Sequence, residues 1–334
     1  MSYGKYVLRK GLWYLLTFFI ATTLVFIIPR LIPGNPISAI VAQMGSGVPS
    51  ESMQRVYESF IRDYGLDKPV ALQYIDYMKN LFQGELGISF SLYPKGVTEI
   101  IGEALPWTLA LQIPAILAGW ILGNLLGAYA AYKRGKFDKV LFPVSLLVSA
   151  MPYYVLAILL QYIFGVYLGW FPPSGGYSMS AFPSLTFDFI VDVLSHYTLP
   201  FVSLVAVTIG SQAIGMREMS IYELNTDYVN YSRMLGLEDR KIVSYIFRNA
   251  MLPQITGLAI SFGTMVGGSI ITEIVFGYPG IGTWLFNAIR QNDYPLIQGI
   301  VLVITITVLF ANFFLDIMYG FLDPRIKAGE MEEG

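Results

Sequence analysis

Side chains that could carry out covalent or metal-dependent chemistry are scarce in this sequence. It contains one histidine, His196, and no cysteine, so thiol chemistry is excluded and a zinc site of the usual kind cannot be assembled. The sequence also lacks the His-Glu-x-x-His, Gly-x-Ser-x-Gly and Gly-x-x-x-x-Gly-Lys motifs of metalloproteases, serine hydrolases and nucleotide-binding loops. We therefore predict that the chain is not an enzyme and binds no cofactor or metal. We interpret His196 as an interfacial residue at a helix entrance.

Two carboxylates, Glu273 and Asp316, interrupt otherwise apolar stretches. A charge at the centre of a bilayer costs at least about 2.5 kcal/mol, so a carboxylate in such a stretch invites a functional interpretation. Each of the two lies near a predicted end of its span, where water can reach it. We favour Glu273 over Asp316 as a functional carboxylate.

The long charge-free segments of the chain indicate its fold class. The mean hydropathy is +0.57 and 13% of the residues are charged, against about 25% in soluble domains. Because a membrane-spanning helix needs about 20 apolar residues, we predict an all-α integral membrane protein with six transmembrane helices. These spans are placed at about residues 11–29, 104–132, 140–168, 197–216, 249–275 and 296–320. The first apolar run has no small-residue cleavage site after it, so we interpret it as a span and not as a signal peptide.

The distribution of lysine and arginine orients the predicted spans. With the N-terminus inside, 14 of the 21 basic residues fall on the cytoplasmic side. Basic residues accumulate in cytoplasmic loops, so both termini are predicted to be cytoplasmic. The chain is accordingly expected to be a multi-pass protein of the plasma (inner) membrane, in contact with the lipid bilayer. Nothing in the composition indicates nucleic acid binding.

The exterior segment of residues 33–103 is predicted to form a folded helical cap. Apolar residues recur at helical spacing from Met53 to Tyr64 and again from Val70 to Phe82. Glycines follow both stretches, at positions 65 and 84, and are expected to end the two helices. The chain would then consist of a first transmembrane helix in residues 1–32, the cap, and a core of five transmembrane helices in residues 104–334.

The cytoplasmic segment between spans four and five, residues 217–248, is longer than a chain reversal requires. We predict that Asp227 caps a short helix that Gly236 ends, and that a second helix starts at Glu238 and continues into span five. Exposed apolar side chains on a short helix at a membrane surface need a covering partner. Another protein or the lipid surface could cover them, and the residues alone leave both interpretations open.

The residues Tyr278, Pro279 and Gly280, which follow span five, are predicted to form a tight turn outside the membrane. A Pro-Gly pair fits the centre of a type II turn, whose second central residue needs a positive φ angle. This interpretation places the positive φ angle at Gly280. We hypothesise that the turn holds span five against an external partner or an outer gate, and that Glu273 belongs to the same gate region.

Short runs of residues along nearly the whole chain form a recognisable series. In the C-terminal half they are Asp227-Tyr228-Val229, Leu235-Gly236-Leu237, Arg248-Asn249-Ala250, Thr272-Glu273, Tyr278-Pro279-Gly280-Ile281-Gly282, Asp293-Tyr294-Pro295 and Leu322-Asp323-Pro324-Arg325. Upstream they are Pro33-Gly34-Asn35-Pro36, Gly84-Glu85-Leu86-Gly87 and Pro172-Pro173-Ser174-Gly175. This series resembles the permeases of ABC importers, and in particular the B-type permeases of the dipeptide, oligopeptide and nickel class.

The resemblance implies one permease subunit of an ATP-driven importer that works by alternating access. A second, homologous permease subunit would pair with this one, and an extracytoplasmic substrate-binding protein would deliver the substrate. Two ATPase subunits would bind ATP and Mg²⁺. The short cytoplasmic helix would press into a groove on an ATPase, with Tyr228, Leu235 and Leu237 as the side chains that fill it. The full set of implied coupling residues is Asp227, Tyr228, Ser232, Leu235, Gly236, Leu237 and Arg240.

The substrate is less well defined by the sequence. Peptides are the default for the class that the chain resembles, and oligosaccharides are the alternative, because 15% of the residues are aromatic and could stack on sugars. Nickel is disfavoured because one histidine without cysteine makes a poor set of ligands. An ion channel and an intramembrane enzyme are more distant alternatives. A channel would leave residues 217–248 without a task, and no nucleophile–base pair supports an enzyme.

Overall fold

The described part of the chain is helical over most of its length. A computed structural model describes residues 3–31, 67–133, 135–268 and 270–322, together with positions 58, 61 and 65. Within these residues the helices are α1 (Tyr3–Leu31), α2 (Val70–Phe82), α3 (Val97–Lys133), α4 (Lys136–Ser149), α5 (Tyr153–Leu160), α6 (Phe187–Leu224), α7 (Asp227–Met234), α8 (Asp239–Gly268), α9 (Ile270–Phe276), α10 (Ile281–Arg290) and α11 (Tyr294–Leu322). A π-helical segment, Gln161–Tyr167, continues α5.

Among the described residues, four helices are long and apolar enough to cross a membrane. They are the segment Tyr6–Ile28 of α1, the whole of α3 and α6, and the segment Tyr294–Phe314 of α11. These helices coincide with the first, second, fourth and sixth predicted spans. The fifth predicted span, residues 249–275, falls on α8 and α9 and does not meet the same criterion. The number of six spans therefore stays a prediction.

The third predicted span, residues 140–168, is not the continuous helix that we expected. It consists of α4 followed by α5 and the π-helical segment, and the two parts are bent by 99° with respect to each other. Pro152 lies at the break with extended backbone angles, φ −59° and ψ 141°. Because a proline disfavours helical geometry in the residue before it, α4 ends just ahead of Pro152 and a new helix begins after it. This pair is a fifth candidate span if the bend lies within one crossing.

Part of the predicted cap is described. The helix Val70–Phe82 is present as α2, and Gly84 follows it with a φ angle of +79°, as expected for a glycine that ends a helix. The α2 helix packs against the first transmembrane helix through the ring of Phe26, which lies 5.2 Å from the ring of Tyr74. The other predicted cap helix, Met53 to Tyr64, lies outside the described residues apart from positions 58 and 61, which are helical.

The chain forms two compact units, and the first contains Met1–Trp107 and Gly280–Gly334. Its core joins the first turns of α3 to α10 and α11. Gly299 permits the close approach of α11 to α3, since a Cβ atom at this position would lie 2.4 Å from the Cγ1 atom of Val97. The buried members of the core are Val97, Ile100, Ile101, Ala104, Ile281, Ala288, Leu296 and Ile300.

A fully buried carboxylate, Asp293, fixes the start of α11 within this unit. It accepts hydrogen bonds from the hydroxyls of Ser89 and Ser91, at 2.5 and 2.7 Å, and from the backbone N–H of Ser91 at 2.9 Å. Its other oxygen accepts the backbone N–H of Leu296 at 3.2 Å, so the same side chain caps the helix. Several hydrogen bonds to an ionised carboxylate compensate for its burial. The segment before α3 is thereby attached to the last helix.

Asp316 joins the first described helix to the last. Its carboxylate accepts a hydrogen bond of 2.9 Å from the Tyr14 hydroxyl and lies 3.3 Å from Nζ of Lys10. The Tyr6 hydroxyl donates to the backbone carbonyl of Asp316 at 3.2 Å. A neighbouring cation and a donor therefore offset the loss of water around this carboxylate. The structure thus gives Asp316 a helix-joining role.

The second unit, Thr108–Pro279, contains a close contact between α3 and α6. Glycines recur every four residues on α3, at Gly119, Gly123 and Gly127. A Cβ atom would lie 2.5 Å from Cβ of Thr208 at the first of these positions, and 2.3 Å from the carbonyl oxygen of Ala213 at the last. Small residues at this spacing let two membrane helices approach closely. The glycines therefore set the distance between the second and fourth predicted spans.

Arg217 joins α6 to the start of α4 in the same unit. Its guanidinium forms a bidentate pair with Asp138, in which Nη2 donates to Oδ2 at 2.8 Å. The same guanidinium lies 4.6 Å from the ring centroid of Phe142. Planar bidentate pairing of this kind defines orientation as well as distance. The end of α6 that leads to the predicted coupling segment is thus held against α4.

Candidate functional site

The short helix predicted in residues 217–248 is present as α7, Asp227–Met234. It lies between the end of α6 at Leu224 and the start of α8 at Asp239, with connections of two and four residues. The second helix of the prediction is also confirmed, because α8 begins directly after Glu238 and continues into the region of span five. Most of residues 217–248 therefore belong to helices, and α7 forms a short bridge between two long ones.

The start of α7 differs from the prediction by one residue. Thr226 occupies the N-cap position, with an extended backbone (φ −83°, ψ 155°), and Asp227 is the first helical residue. No side chain caps the helix, because the Thr226 hydroxyl donates instead to the backbone carbonyl of Glu223 at 2.6 Å. The prediction that Asp227 is the capping residue is wrong. Its carboxylate is exposed in the first turn, where the helix dipole favours a negative charge.

The end of α7 is formed as predicted by Gly236, whose φ angle is +70°. The backbone N–H of Leu237 donates to the carbonyl of Ser232 at 3.1 Å, and that of Gly236 to the carbonyl of Arg233 at 3.0 Å. This pair of bonds is the Schellman motif, in which a residue in the left-handed region closes a helix. A residue with a Cβ atom reaches this region only at a cost of about 1–2 kcal/mol. Gly236 thus determines where the chain leaves α7 and turns into α8.

The inner face of α7 packs on the first two turns of α8. Val229 is completely buried, and it contacts Ile242 and Ile246, which are 3% and 6% exposed. Tyr228 and Leu237 pack against this cluster as partly buried side chains. Tyr228 and Leu237, which we predicted to fill a partner's groove together with Leu235, are thus partly covered by the apolar face of α8. Their role as groove-filling anchors stays a prediction.

The outer face of α7 presents a different apolar set, which consists of Tyr231, Met234 and Leu235. These side chains are 66%, 82% and 79% exposed, respectively. Their spacing of i, i+3 and i+4 places them together on one side of the helix end. Leu235 is therefore exposed and available to a partner, whereas Tyr228 and Leu237 are partly covered by α8.

The remaining predicted coupling residues, Ser232 and Arg240, lie on α7 and α8. The Ser232 hydroxyl donates to the backbone carbonyl of Tyr228 at 2.7 Å, one turn back in the same helix. Arg240 is exposed in the first turn of α8. The seven predicted coupling residues are therefore close along the chain, and they divide into an inward-packed group and an exposed group. We refer to Tyr231, Met234 and Leu235 as the exposed face of α7.

The predicted outer gate residues Glu273 and Tyr278 are both buried in the second unit, each 1% exposed. Glu273 belongs to α9, and its backbone carbonyl accepts the N–H of Tyr278 at 2.9 Å. Between them Gly277 has a φ angle of +54°, and its N–H donates to the carbonyl of Ile274 at 3.1 Å. Gly277 therefore ends α9 in the left-handed region, by the same motif that Gly236 uses for α7.

The predicted type II turn at Pro279-Gly280 is wrong. Gly280 has an extended backbone, with φ −88° and ψ 179°, and it is the N-cap residue of α10. The positive φ angle that we assigned to Gly280 lies at Gly277 instead. The physical reason is that the chain has to end one helix and start another within four residues. Gly277 supplies the left-handed exit from the first helix, and an extended residue before the second suffices as its cap.

The loop after the π-helical segment is attached to the C-terminal end of α9. The Gln161 side-chain amide donates to the carbonyls of Pro173 and Val275, both at 2.8 Å. The backbone N–H of Gly175 donates to the carbonyl of Phe276, also at 2.8 Å. These bonds occupy carbonyls at the end of α9 that have no partner within the helix. Glu273 thus lies in a helix whose end is held by a neighbouring loop.

His196 is not at a helix entrance, as we had interpreted it, but in the third turn of α6. It is 6% exposed, and its Nδ1 atom lies 2.9 Å from the backbone carbonyl oxygen of Asp192. Asp192 in turn accepts hydrogen bonds from the hydroxyl and backbone N–H of Ser178, at 2.6 and 2.7 Å. The histidine is therefore a packed residue beside the loop that leads into α6.

Sequence comparison places the chain in a known family. Residues 123–328 match the family described as binding-protein-dependent transport system inner membrane component. The chain is 35% identical to the di/tripeptide transport system permease protein of Pseudomonas aeruginosa, over 93% of this chain and 95% of that protein. It is 31% identical to the dipeptide transport system permease protein of Escherichia coli K12 (97% and 98%) and 30% identical to the glutathione transport system permease protein of E. coli O6:H1 (97% and 99%).

The chain belongs to the family of binding-protein-dependent transport system inner membrane components. It is a transmembrane permease subunit of an ABC importer, and the predicted resemblance to the dipeptide and oligopeptide class is confirmed. The all-helical fold with several candidate membrane spans agrees with this membership.

Sequence reasoning missed the residues that orient α7. Ile242 and Ile246 form the apolar surface of α8 under this helix, and their spacing of four residues is a readable signal for one helix face. Glu223 accepts a hydrogen bond from Tyr228, and no pattern in the sequence indicates that pair. Tyr231 and Met234 were visible as apolar residues, but which side of α7 faces outward depends on the direction in which α8 leaves.

Proposed function

We propose that the chain imports di- and oligopeptides as one of two permease subunits in an ATP-driven complex. The observation that carries this proposal is the match to permeases named for di/tripeptides, dipeptides and glutathione over more than nine tenths of this chain. Glutathione is itself a tripeptide. A substrate-binding protein would deliver the peptide from outside, and two ATPase subunits with ATP and Mg²⁺ would drive the cycle.

The exposed face of α7 supports a role in coupling ATP hydrolysis to movement of the spans. The chain has no nucleotide-binding loop, so ATP can act on it only through differential contacts made by a partner. The α7 helix presents three large apolar side chains outward and is attached to α8 by a buried cluster. A partner that moves α7 would therefore also move α8. We propose that an ATPase groove receives Tyr231, Met234 and Leu235.

The proposed topology has six spans, an external cap and both termini in the cytoplasm. It rests on the basic residues of the sequence and on the candidate spans. Single cysteines at Ser180 and Lys136, both exposed, test it in right-side-out vesicles. An impermeant maleimide should label Ser180→Cys and should not label Lys136→Cys until the membrane is permeabilised. Labelling of Lys136→Cys in sealed vesicles would contradict the topology.

Transport by the reconstituted complex tests the substrate. Proteoliposomes that contain this chain, its partner permease, the ATPases and the binding protein should accumulate a radiolabelled dipeptide when ATP is supplied to the ATPase side. An excess of unlabelled tripeptide should compete, and an excess of a disaccharide should not. Accumulation of the disaccharide without the dipeptide would replace the peptide proposal with its oligosaccharide alternative.

A further inference from the structure

An apolar cavity of about 470 Å³ lies between α3, α6 and α8 in the second unit. Leu125, Tyr129 and Tyr132 form its wall on α3, and Leu224 and Phe247 form part of the rest. Cavities of about 300–1,000 Å³ with apolar and aromatic walls and few polar groups are typical of ligand sites. The exposed face of α7 contributes no residue to this cavity.

The cavity lies at the depth of the membrane interface under the proposed topology. Its α3 residues are the last eight positions of the second predicted span, and its α6 and α8 residues lie two to eight positions on the cytoplasmic side of the fourth and fifth predicted spans. At about 1.5 Å of rise per residue, all are within about 12 Å of the predicted cytoplasmic ends of these spans. Phospholipids of the inner leaflet have their ester groups and first methylenes at this depth.

A cation lies next to the cavity on the cytoplasmic side. Lys133 is exposed, and its Nζ atom lies 5.5 Å from the ring centroid of Tyr129, which lines the cavity. Basic side chains between helices on this side of a membrane attract the phosphates of anionic lipids. We propose that one anionic phospholipid of the inner leaflet binds here. Its acyl chain occupies the cavity and its phosphate pairs with Lys133.

The proposed lipid would contact residues of α6 and α8 that also pack against α7. Leu224 and Ile246 line the cavity and also belong to the apolar cluster on which α7 packs. An acyl chain in contact with both would hold the ends of α6 and α8 in the positions that α7 requires. This inference rests on the proposed topology and does not depend on which substrate is transported.

Photo-crosslinking on the assembled complex tests the site. The complex is reconstituted in nanodiscs with phosphatidylglycerol that carries a diazirine on one acyl chain, irradiated, and digested for mass spectrometry. Labelling is expected on peptides that contain residues 125–132 or 243–247. The cavity-filling variant Ala128→Trp should reduce it about tenfold, the loss expected from excluding about two methylenes. The control Ile121→Trp places the same side chain at an exposed position of α3 outside the cavity and should leave labelling unchanged.

The charge of the site is tested separately with variants that do not disturb the helices. Unlabelled phosphatidylglycerol should compete better than phosphatidylcholine, and Lys133→Gln should abolish that preference, whereas the exposed Lys139→Gln should retain it. Equal labelling of Ala128→Trp and the wild type would overturn the proposal. A second result would also overturn it. If no lipid labelling is found and a photoreactive residue at Tyr129 crosslinks to the partner permease, a protein covers the cavity. ATP-driven peptide uptake, measured in parallel, reports separately on the proposed function.

Discussion

The Tyr228 hydroxyl donates a hydrogen bond of 2.7 Å to the Glu223 carboxylate, and this bond joins the first turn of α7 to the last turn of α6. The same carboxylate oxygen lies 3.5 Å from Nδ2 of Asn249 on α8. Burial and the bond to Glu223 raise the pKa of Tyr228, so the phenol remains a donor at neutral pH. Glu223 therefore connects the three helices of the coupling segment at one point.

Tyr228→Phe should loosen α7 without displacing its ring from the apolar cluster. It removes a hydrogen bond to a charged group, which typically contributes about 1.5–3 kcal/mol, and here less because the site is partly exposed to water. Amide hydrogen exchange in α7 should accelerate, while exchange in the middle of α6 should not change. The control Tyr222→Phe alters a tyrosine that is 67% exposed and should have no effect. Unchanged exchange of α7 in Tyr228→Phe would contradict this account of the segment.

Gly236→Val should strain the exit from α7 by about 1–2 kcal/mol, because a β-branched residue is forced to a φ angle of +70°. Nothing lies within 4 Å of a Cβ atom at this position, so crowding does not contribute. Gly236→Asn is the matched control, since asparagine adopts the left-handed region more readily than other non-glycine residues. We expect reduced coupling of ATP hydrolysis to transport for valine and near-normal coupling for asparagine. Equal behaviour of the two variants would argue against a conformational role for Gly236.

The residues at which helices end could be predicted from their types. Which face of a helix packs inward could not. Gly236 and Gly84 lie where helices end, because glycine after an apolar helical stretch has a local physical reason to be there. The inward direction of Tyr228 depends on Ile242, which α8 brings beneath it only in the folded chain. The 99° bend after α4 was overlooked because Pro152 lies within an uninterrupted apolar run.

Gly277→Ala should destabilise the second unit by about 1–2 kcal/mol, because alanine would be held at a φ angle of +54°. The space around a Cβ atom there is adequate, the nearest atoms being 3.9 Å away, so the effect isolates backbone strain. Gly96→Ala is the control, since Gly96 has open space and no positive φ angle. Thermal unfolding of the purified complex should occur at a lower temperature for Gly277→Ala only. A shift of the same size in Gly96→Ala would refute the assignment.

The contrast between Gly277 and Gly280 shows why the outer turn was misassigned. A Pro-Gly pair is a strong signal for a turn within a loop. Here, however, α9 ends just before the pair and α10 begins just after it. Two residues lie between Gly277 and Gly280, the N-cap of α10, and either glycine could have supplied the positive φ angle. The hydrogen bonds from Gly277 and Tyr278 to the carbonyls of Ile274 and Glu273 distinguish them, and those bonds are a property of the folded chain.

Substrate-stimulated ATP hydrolysis by the assembled complex tests coupling through the exposed face of α7 most directly. Leu235→Asp places a charge on a side chain that is 79% exposed, so the variant should insert and pair with its partner permease normally. Loss of one apolar anchor at an interface typically costs about 2 kcal/mol or more, which weakens binding about thirtyfold. We predict that peptide-loaded binding protein no longer stimulates hydrolysis in Leu235→Asp, and that Ser244→Asp, on the exposed side of α8, retains stimulation. Wild-type stimulation and transport in Leu235→Asp would contradict the proposed coupling mechanism.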